Sequence, residues 1–304
     1  MTHYFWPHIG GVEKHVKEVS ISLSLKKHKL TVLTEKYASG LKNQETKDGV
    51  KILRFKYPHI KFLGLLSIWF WLWQNRTLIK QSDLIQIHDV FIWYLPFRFL
   101  YPRKPVFTTI HGLEWDNPFS PLSLWQKKLA VKLSTGTIGV GKYLEKYQHV
   151  KFNTIIYGAA DRHIHLGGAK ARPRGGRTKI IYVGRLEENT GLGKFIKWLN
   201  DLPFRSQRRR RVDFCGDGPL RAECEKYGQV HGFCDPEPYL NRADLCVPGG
   251  YLAYLEAKAA GCRIKTFAQN QLRKDYWLGI KKIKKIPTWQ EVTDAYLDLY
   301  HRFQ

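Results

Sequence analysis

Two glycine-bearing turns in separate halves of the chain hold residues that could do chemistry. Gly10-Gly11 precedes a helical pattern, and Gly184-Arg185 follows an apolar run of buried-strand character. A turn without side chains lets backbone N–H groups approach an oxyanion, and a following helix N-terminus adds about half a positive charge. Each turn is a candidate cradle for a diphosphate or a sugar. The second is followed by Cys215-Gly216-Asp217-Gly218-Pro219, by the pair Gly249-Gly250, and by Glu256-Ala257 leading toward Gly261. Arg185 would lie just past a strand's carboxyl end, where open α/β sheets bind ligands, and its guanidinium can pair bidentately with phosphate oxygens. His111 and the pair His88-Asp89 also stand at strand ends.

The elements that must position these residues alternate. After Gly10-Gly11, the apolar residues Val12, Val16, Val19 and Leu23 recur at helical spacing, and residues 30–34 then read as a β-branched strand. Further strands are expected at 50–55, 84–88, 106–110 and 154–157, with helical or aromatic segments between them. Beyond a Gly-, Arg- and Pro-rich stretch at 167–176, strands at 179–183, 212–215, near Val230 and at 245–247 repeat the pattern. Such alternation implies parallel sheets covered by helices, and the chain divides as 1–166, a linker at 167–177, 178–287, and a terminal segment at 288–304. In that last segment Trp289, Val292, Tyr296, Leu299 and Phe303 step by three and four, an amphipathic helix that must dock on something.

The 304 residues suffice for two cores. Fifty Lys and Arg against 26 Asp and Glu give a net charge of +24, which favours an anionic partner such as a nucleotide, a nucleic acid or an acidic membrane surface. Five cysteines, none in a two-residue-gap pair, indicate neither a zinc knuckle nor a disulfide framework and suit a reducing compartment. The first eleven residues lack the charged leader and apolar stretch of a signal peptide, so a cytoplasmic location is expected. Residues 62–73 are a twelve-residue apolar run, short of the roughly 20 needed to span a bilayer; they read as a helix packed on a sheet or lying at an interface.

The order of these landmarks resembles the retaining glycosyltransferases of family 4. The resemblance is carried by Pro7-His8-Ile9-Gly10-Gly11-Val12-Glu13, Thr109-Ile110-His111-Gly112, Tyr182-Val183-Gly184-Arg185-Leu186, Cys215-Gly216-Asp217-Gly218-Pro219 and Tyr251-Leu252-Ala253-Tyr254-Leu255-Glu256-Ala257, in register over nearly the whole chain. It implies an α/β GT-B architecture, two facing Rossmann-like domains with a cleft between them. The C-terminal domain would hold a nucleoside-diphosphate sugar, the N-terminal domain would present a glycan or lipid-linked acceptor, and the terminal helix would cross back to the N-terminal domain. On this reading Arg185 neutralises the departing diphosphate, and Glu256 accepts hydrogen bonds from the ribose. His111 touches the donor sugar, and Gly10, Gly11, Gly184, Thr190, Gly216, Gly218, Gly249 and Gly250 surround the donor. His88 and Asp89 belong to the acceptor side or to packing. The competing structural readings are a surface arginine, a first-turn glutamate on the helix dipole, a tight Gly249-Gly250 turn and a packing histidine. No Asp-x-Asp clamp stands in a fitting context, so neither metal nor cofactor is expected, and cationic side chains and amides would take the ion's place.

Three departures from the family pattern bear on activity. Thr190-Gly191 stands where the family has a Lys before a Gly, and a charge-assisted bond of that kind is worth about 1.5 to 3 kcal/mol. Pro248 stands where a second glutamate would precede Glu256 by eight positions. Only Met1 to His3 precede the Tyr4-Phe5-Trp6-Pro7 loop, where a full first strand is expected, so that strand reads as missing. The departures keep open a degenerate sugar-nucleotide binder, and the shared fold keeps open a sugar-nucleotide epimerase. The run Arg208-Arg209-Arg210-Arg211 with Arg205 keeps open a basic nucleic-acid binder, although it lacks the interleaved aromatics of a stacking platform. Attraction to anionic lipid at the inner membrane face is a further use of the charge.

Overall fold

The computed structural model describes residues 1–60, 62–112, 120–160, 178–203 and 210–303. The expected linker at 167–177 and most of the arginine-rich run, at 204–209, lie outside these residues. The chain forms two compact units, Met1–Ile156 with Gln290–Gln304, and Tyr157–Trp289. The first therefore closes at Ile156, earlier than the glycine-rich stretch.

In the first unit, β1 (Leu30–Glu35) pairs in parallel with β3 (Val50–Phe55), and β2 (Gln44–Lys47) adds to β3 as an antiparallel edge. A second ladder runs β4 (Ile85–His88), β5 (Val106–Ile110), β6 (Gly136–Val140), β7 (Thr154–Ile156), all parallel. The first three residues join the two ladders. Thr2 N donates to Leu33 O (3.1 Å) and Glu35 N to His3 O (3.0 Å), while His88 N donates to Met1 O (2.8 Å) and Met1 N to Gln86 O (2.6 Å). A three-residue segment thus occupies the central place expected for a full strand.

β6 was not legible in the sequence because two of its five residues are glycines. Both are there for packing: a Cβ on Gly136 would meet the Phe107 ring at 2.9 Å, and one on Gly139 would run into Phe152. Helix Gly11–Leu25 buries Val16, Val19 and Leu23 as the periodicity required. The terminal helix Trp289–Arg302 buries Trp289, Val292, Tyr296 and Leu299; Phe303 lies beyond its end and is exposed, and Tyr300 is buried in its stead.

The second unit has one sheet ordered β10 (Gln229–Val230), β9 (Arg210–Cys215), β8 (Thr178–Val183), β11 (Leu245–Pro248), β12 (Arg263–Ile264), every pair parallel. Its core gathers Tyr182, Phe195, Phe214, Leu186 and Leu199. None of the five cysteines is in a disulfide. Among the described residues no helix is long and apolar enough to cross a membrane.

Candidate functional site

Several of the predicted residues fall at strand carboxyl ends: His88, Asp89 and His111 in the first unit, and Gly184, Arg185, Gly216 and Gly249 in the second. In the first, Asp89 follows β4 in a left-handed conformation (φ 62°), inside a tight turn closed by Val90 N donating to His88 O (2.8 Å). Such a conformation is costly for a residue with a side chain and collects at functional sites. The Asp89 carboxylate accepts from His111 N (3.0 Å) and lies 3.4 Å from Lys127 Nζ. His88 and His111 share a hydrogen bond between Nδ1 and Nε2 (3.0 Å). The loop after β5 is thereby fixed to the loop after β4, and His111 comes together with the pair His88-Asp89, which the sequence had named separately.

His15 and Tyr296 join this group and were not anticipated. The His15 ring meets His111 edge to face with centroids 4.9 Å apart, and its Nε2 shares a hydrogen bond with the Tyr296 hydroxyl (3.0 Å), which also bonds Thr109 Oγ1 (2.9 Å). Burial, then the neighbouring His111, holds His15 well below the ordinary histidine range. His88 is lowered in the same way by burial and by His111, and His111 is lowered by burial against the opposing pull of Asp89. Burial thus favours the neutral form of all three histidines. Among the described residues no group of three His, Cys, Asp or Glu side chains could hold a metal ion. The sequence signal for His15 was a lone histidine within the apolar stripe of the first helix.

Gly10 caps that helix in extended backbone (φ −173°), and a Cβ there would run into the Glu13 carboxylate, which lies 3.0 Å from His8 Nδ1. The Gly10-Gly11 turn thus already has an anionic neighbour from its own helix.

In the second unit, three turns meet at the carboxyl ends of the adjacent strands β9, β8 and β11. A Cβ on Gly184 (φ 153°) would lie 2.8 Å from Gly249 Cα, and one on Gly216 (φ 155°) would fall onto Gly184 O. These glycines are required for backbone-to-backbone contact. Their N–H groups are bonded within the fold, including the Gly184 and Gly249 amides expected as donors to the diphosphate: Gly184 N donates to Cys215 O, Gly249 N to Val183 O, Gly216 N to Gly232 O and Gly218 N to Asp217 Oδ1. Gly250 differs. It is the extended N-cap of helix Tyr251–Ala259, and its amide has no acceptor among the described residues.

Arg185 emerges from this meeting point with its side chain 53 % exposed, 3.3 Å from the Glu187 carboxylate. Burial pushes the Tyr276 hydroxyl above its ordinary range, while the charges of Arg273 and Arg185 pull it down. That hydroxyl accepts from Tyr251 N at the helix start (2.9 Å). Glu256 does not open its helix; it is buried in the second turn, so a first-turn, dipole-stabilising role is ruled out.

Arg273, on helix Gln271–Lys281, was missed. It is 2 % exposed, its guanidinium carbon lies 4.3 Å from the Tyr276 ring centroid, and its Nη2 donates to Thr190 O (3.2 Å) and Gly249 O (2.5 Å). A buried cation therefore sits beside the residue where the family's lysine is lacking. Thr190 itself accepts through Oγ1 from the Tyr182 hydroxyl (2.7 Å), and Lys194 does not reach back, since its Nζ donates to Ala268 O (2.9 Å).

Residues 9–154 match the family model described as Glycosyltransferase Family 4. No curated protein matches the chain. Among solved structures, sucrose-phosphate synthase from Thermosynechococcus elongatus is similar with a TM-score of 0.72 at 14% identity, over 96% of this chain and 93% of that one. Anabaena Alr3699/HepE in complex with UDP and glucose matches with a TM-score of 0.63 at 15% identity, covering 99% and 90%. WaaG, a glycosyltransferase involved in lipopolysaccharide biosynthesis, matches with a TM-score of 0.59 at 14% identity, covering 100% and 95%. Residues 9–154 are thus similar to Glycosyltransferase Family 4, and the chain as a whole carries the GT-B fold.

Proposed function

We propose that the chain is a retaining glycosyltransferase that moves a sugar from a nucleoside-diphosphate donor to a glycan or lipid-linked acceptor, without a metal clamp. The observation that carries this reading is the gathering of positive charge where β8 and β11 end. Arg185 stands exposed there, the open amide of Gly250 begins a helix, and Arg273 lies beneath the turn. Breaking the bond from the anomeric carbon to the diphosphate leaves charge on phosphate oxygens, and donors aimed at developing charge lower such a barrier by roughly 3 to 4 kcal/mol each. Glu256 lies on that same helix and is assigned to the ribose. His111, neutral and held by Asp89 and His88, is assigned to the sugar and acceptor side. The acceptor setting is cytoplasmic, at the inner membrane face, which suits a net charge of +24.

The experiment is a calorimetric titration of nucleoside diphosphates and their sugars into wild type and Arg185→Ala. Diphosphate affinity should fall by about 2 to 3 kcal/mol in the variant, the worth of hydrogen bonds to a charged group. Unchanged affinity removes Arg185 from this role. Product analysis then separates the readings: transfer with retention gives a new glycoside of unchanged anomeric configuration. A binder without activity, favoured by Thr190 and by the strand-end amides already in use, gives none.

A further inference from the structure

The helix Leu63–Gln74 is apolar on two opposite faces. One buries Gly64, Ile68 and Leu72 in the core of the first unit. The other presents Leu63, Leu66, Phe70 and Trp73, spaced by three and four residues, each between 50% and 63% exposed. Phe62, just before the helix, is 80% exposed, with a positive φ of 63°. Phe99, on the neighbouring helix Phe91–Leu100, is 68% exposed. Single exposed apolar residues are ordinary, but a contiguous stripe of this kind marks an interaction surface.

The charge around the stripe identifies its partner. From Lys56 to Ser82, and again from Val90 to Leu113, the sequence has no Asp or Glu. Exposed Arg76, Lys80 and Arg103 lie in the same segments, with the Arg76 guanidinium 5.1 Å from the Trp73 ring centroid. Neither stretch brings a carboxylate of its own to an apolar, negatively charged surface, and the exposed Arg76, Lys80 and Arg103 would gain there. A second copy of the chain would instead set like charges against each other. The helix is about 18 Å long, too short to cross a bilayer but suited to lie in its interface with aromatic rings at headgroup depth and basic side chains reaching the phosphates.

We propose that this face docks the first unit on the surface of an anionic lipid bilayer. The proposal deepens the functional reading by naming the surface at which a lipid-linked acceptor is met, and for that purpose it rests on the reading; docking itself needs no turnover. The test is sedimentation of the full chain with phosphatidylcholine vesicles, with and without phosphatidylglycerol. Binding should require phosphatidylglycerol and weaken with salt. Phe70→Ser with Trp73→Ser should lower it by about tenfold or more, and Arg76→Gln and Lys80→Gln by about fivefold each at low salt. These positions are outside the core, so the melting temperature and UDP binding by the second unit should stay as in wild type. Equal binding to neutral vesicles, or unchanged binding of all three variants, overturns the proposal. So does a wild type that ignores vesicles but forms a dimer that Phe70→Ser with Trp73→Ser dissolves. A chain that docks but neither binds UDP nor transfers sugar leaves the docking face standing and removes the transferase reading.

Discussion

Tyr296, on the last helix of the chain, shares a hydrogen bond with His15, on the first, at 3.0 Å between its hydroxyl and Nε2. Both side chains are buried, and the same hydroxyl also bonds Thr109. Tyr296→Phe keeps the ring and leaves two buried polar groups without this partner. Its expected cost is about 1 to 3 kcal/mol of unfolding free energy in urea titrations. A variant as stable as wild type would show that the hydroxyl contributes nothing to docking the helix.

The lowered histidines make stability depend on pH. The folded protein resists protonating His15 and His88, whereas the unfolded chain protonates them near the ordinary value of 6.5. The unfolded state then binds more protons, so stability is complete above about pH 6.5 and falls as pH drops below it. Each such histidine adds a slope of up to about 1.4 kcal/mol per pH unit. His15→Gln should flatten the fall of melting temperature between pH 7 and pH 5, read by thermal melts across that range. An unaltered slope would place the pH dependence elsewhere.

Arg273 holds two carbonyls, Thr190 O and Gly249 O, with one nitrogen. Arg273→Met fills similar space and leaves both without it, so a loss of about 2 to 5 kcal/mol is expected in chemical denaturation. Arg273→Lys should recover part of the stability. If the buried charge also serves the diphosphate, Arg273→Lys should bind UDP better than Arg273→Met does; equal affinity would confine the residue to a structural role.

The contact of three strand ends leaves no room for a methyl group. Gly216→Ala would place its Cβ on Gly184 O in a backbone (φ 155°) that alanine disfavours, so destabilisation should exceed about 2 kcal/mol. By comparison, Gly40→Ala meets nothing within 4 Å and should be near neutral. Similar denaturation midpoints for the two would argue against the close approach.

Much of this was legible in the sequence, for stated physical reasons. Strands such as Val106–Ile110 and Thr178–Val183 announce themselves because a strand buried on both faces needs an unbroken apolar or β-branched run. Gln44–Lys47 escaped because an edge strand can be polar throughout, and Gly136–Val140 because its glycines serve neighbouring rings. The strand-end residues His88, Asp89, His111 and Arg185 could be named because strand carboxyl ends are where such sheets bind ligands. His15 and Arg273 could not, since each works through partners far away in sequence, Tyr296 and Thr190. That the amides of Gly184 and Gly249 are bonded within the fold was not legible, because spacing cannot tell an open turn from one whose N–H groups are already in use.

The chain leaves the first unit at Ile156 and re-enters it at Gln290, so the second unit is an insertion within the first. During synthesis, residues 157–289 emerge complete and can fold while the first unit still lacks Tyr296, Leu299 and Tyr300. The first unit is begun first and finished last. Until the helix Trp289–Arg302 has left the ribosome, the faces of His15, Thr109 and Phe107 that it covers stay wet, so the nascent first unit exposes surface that its folded form hides.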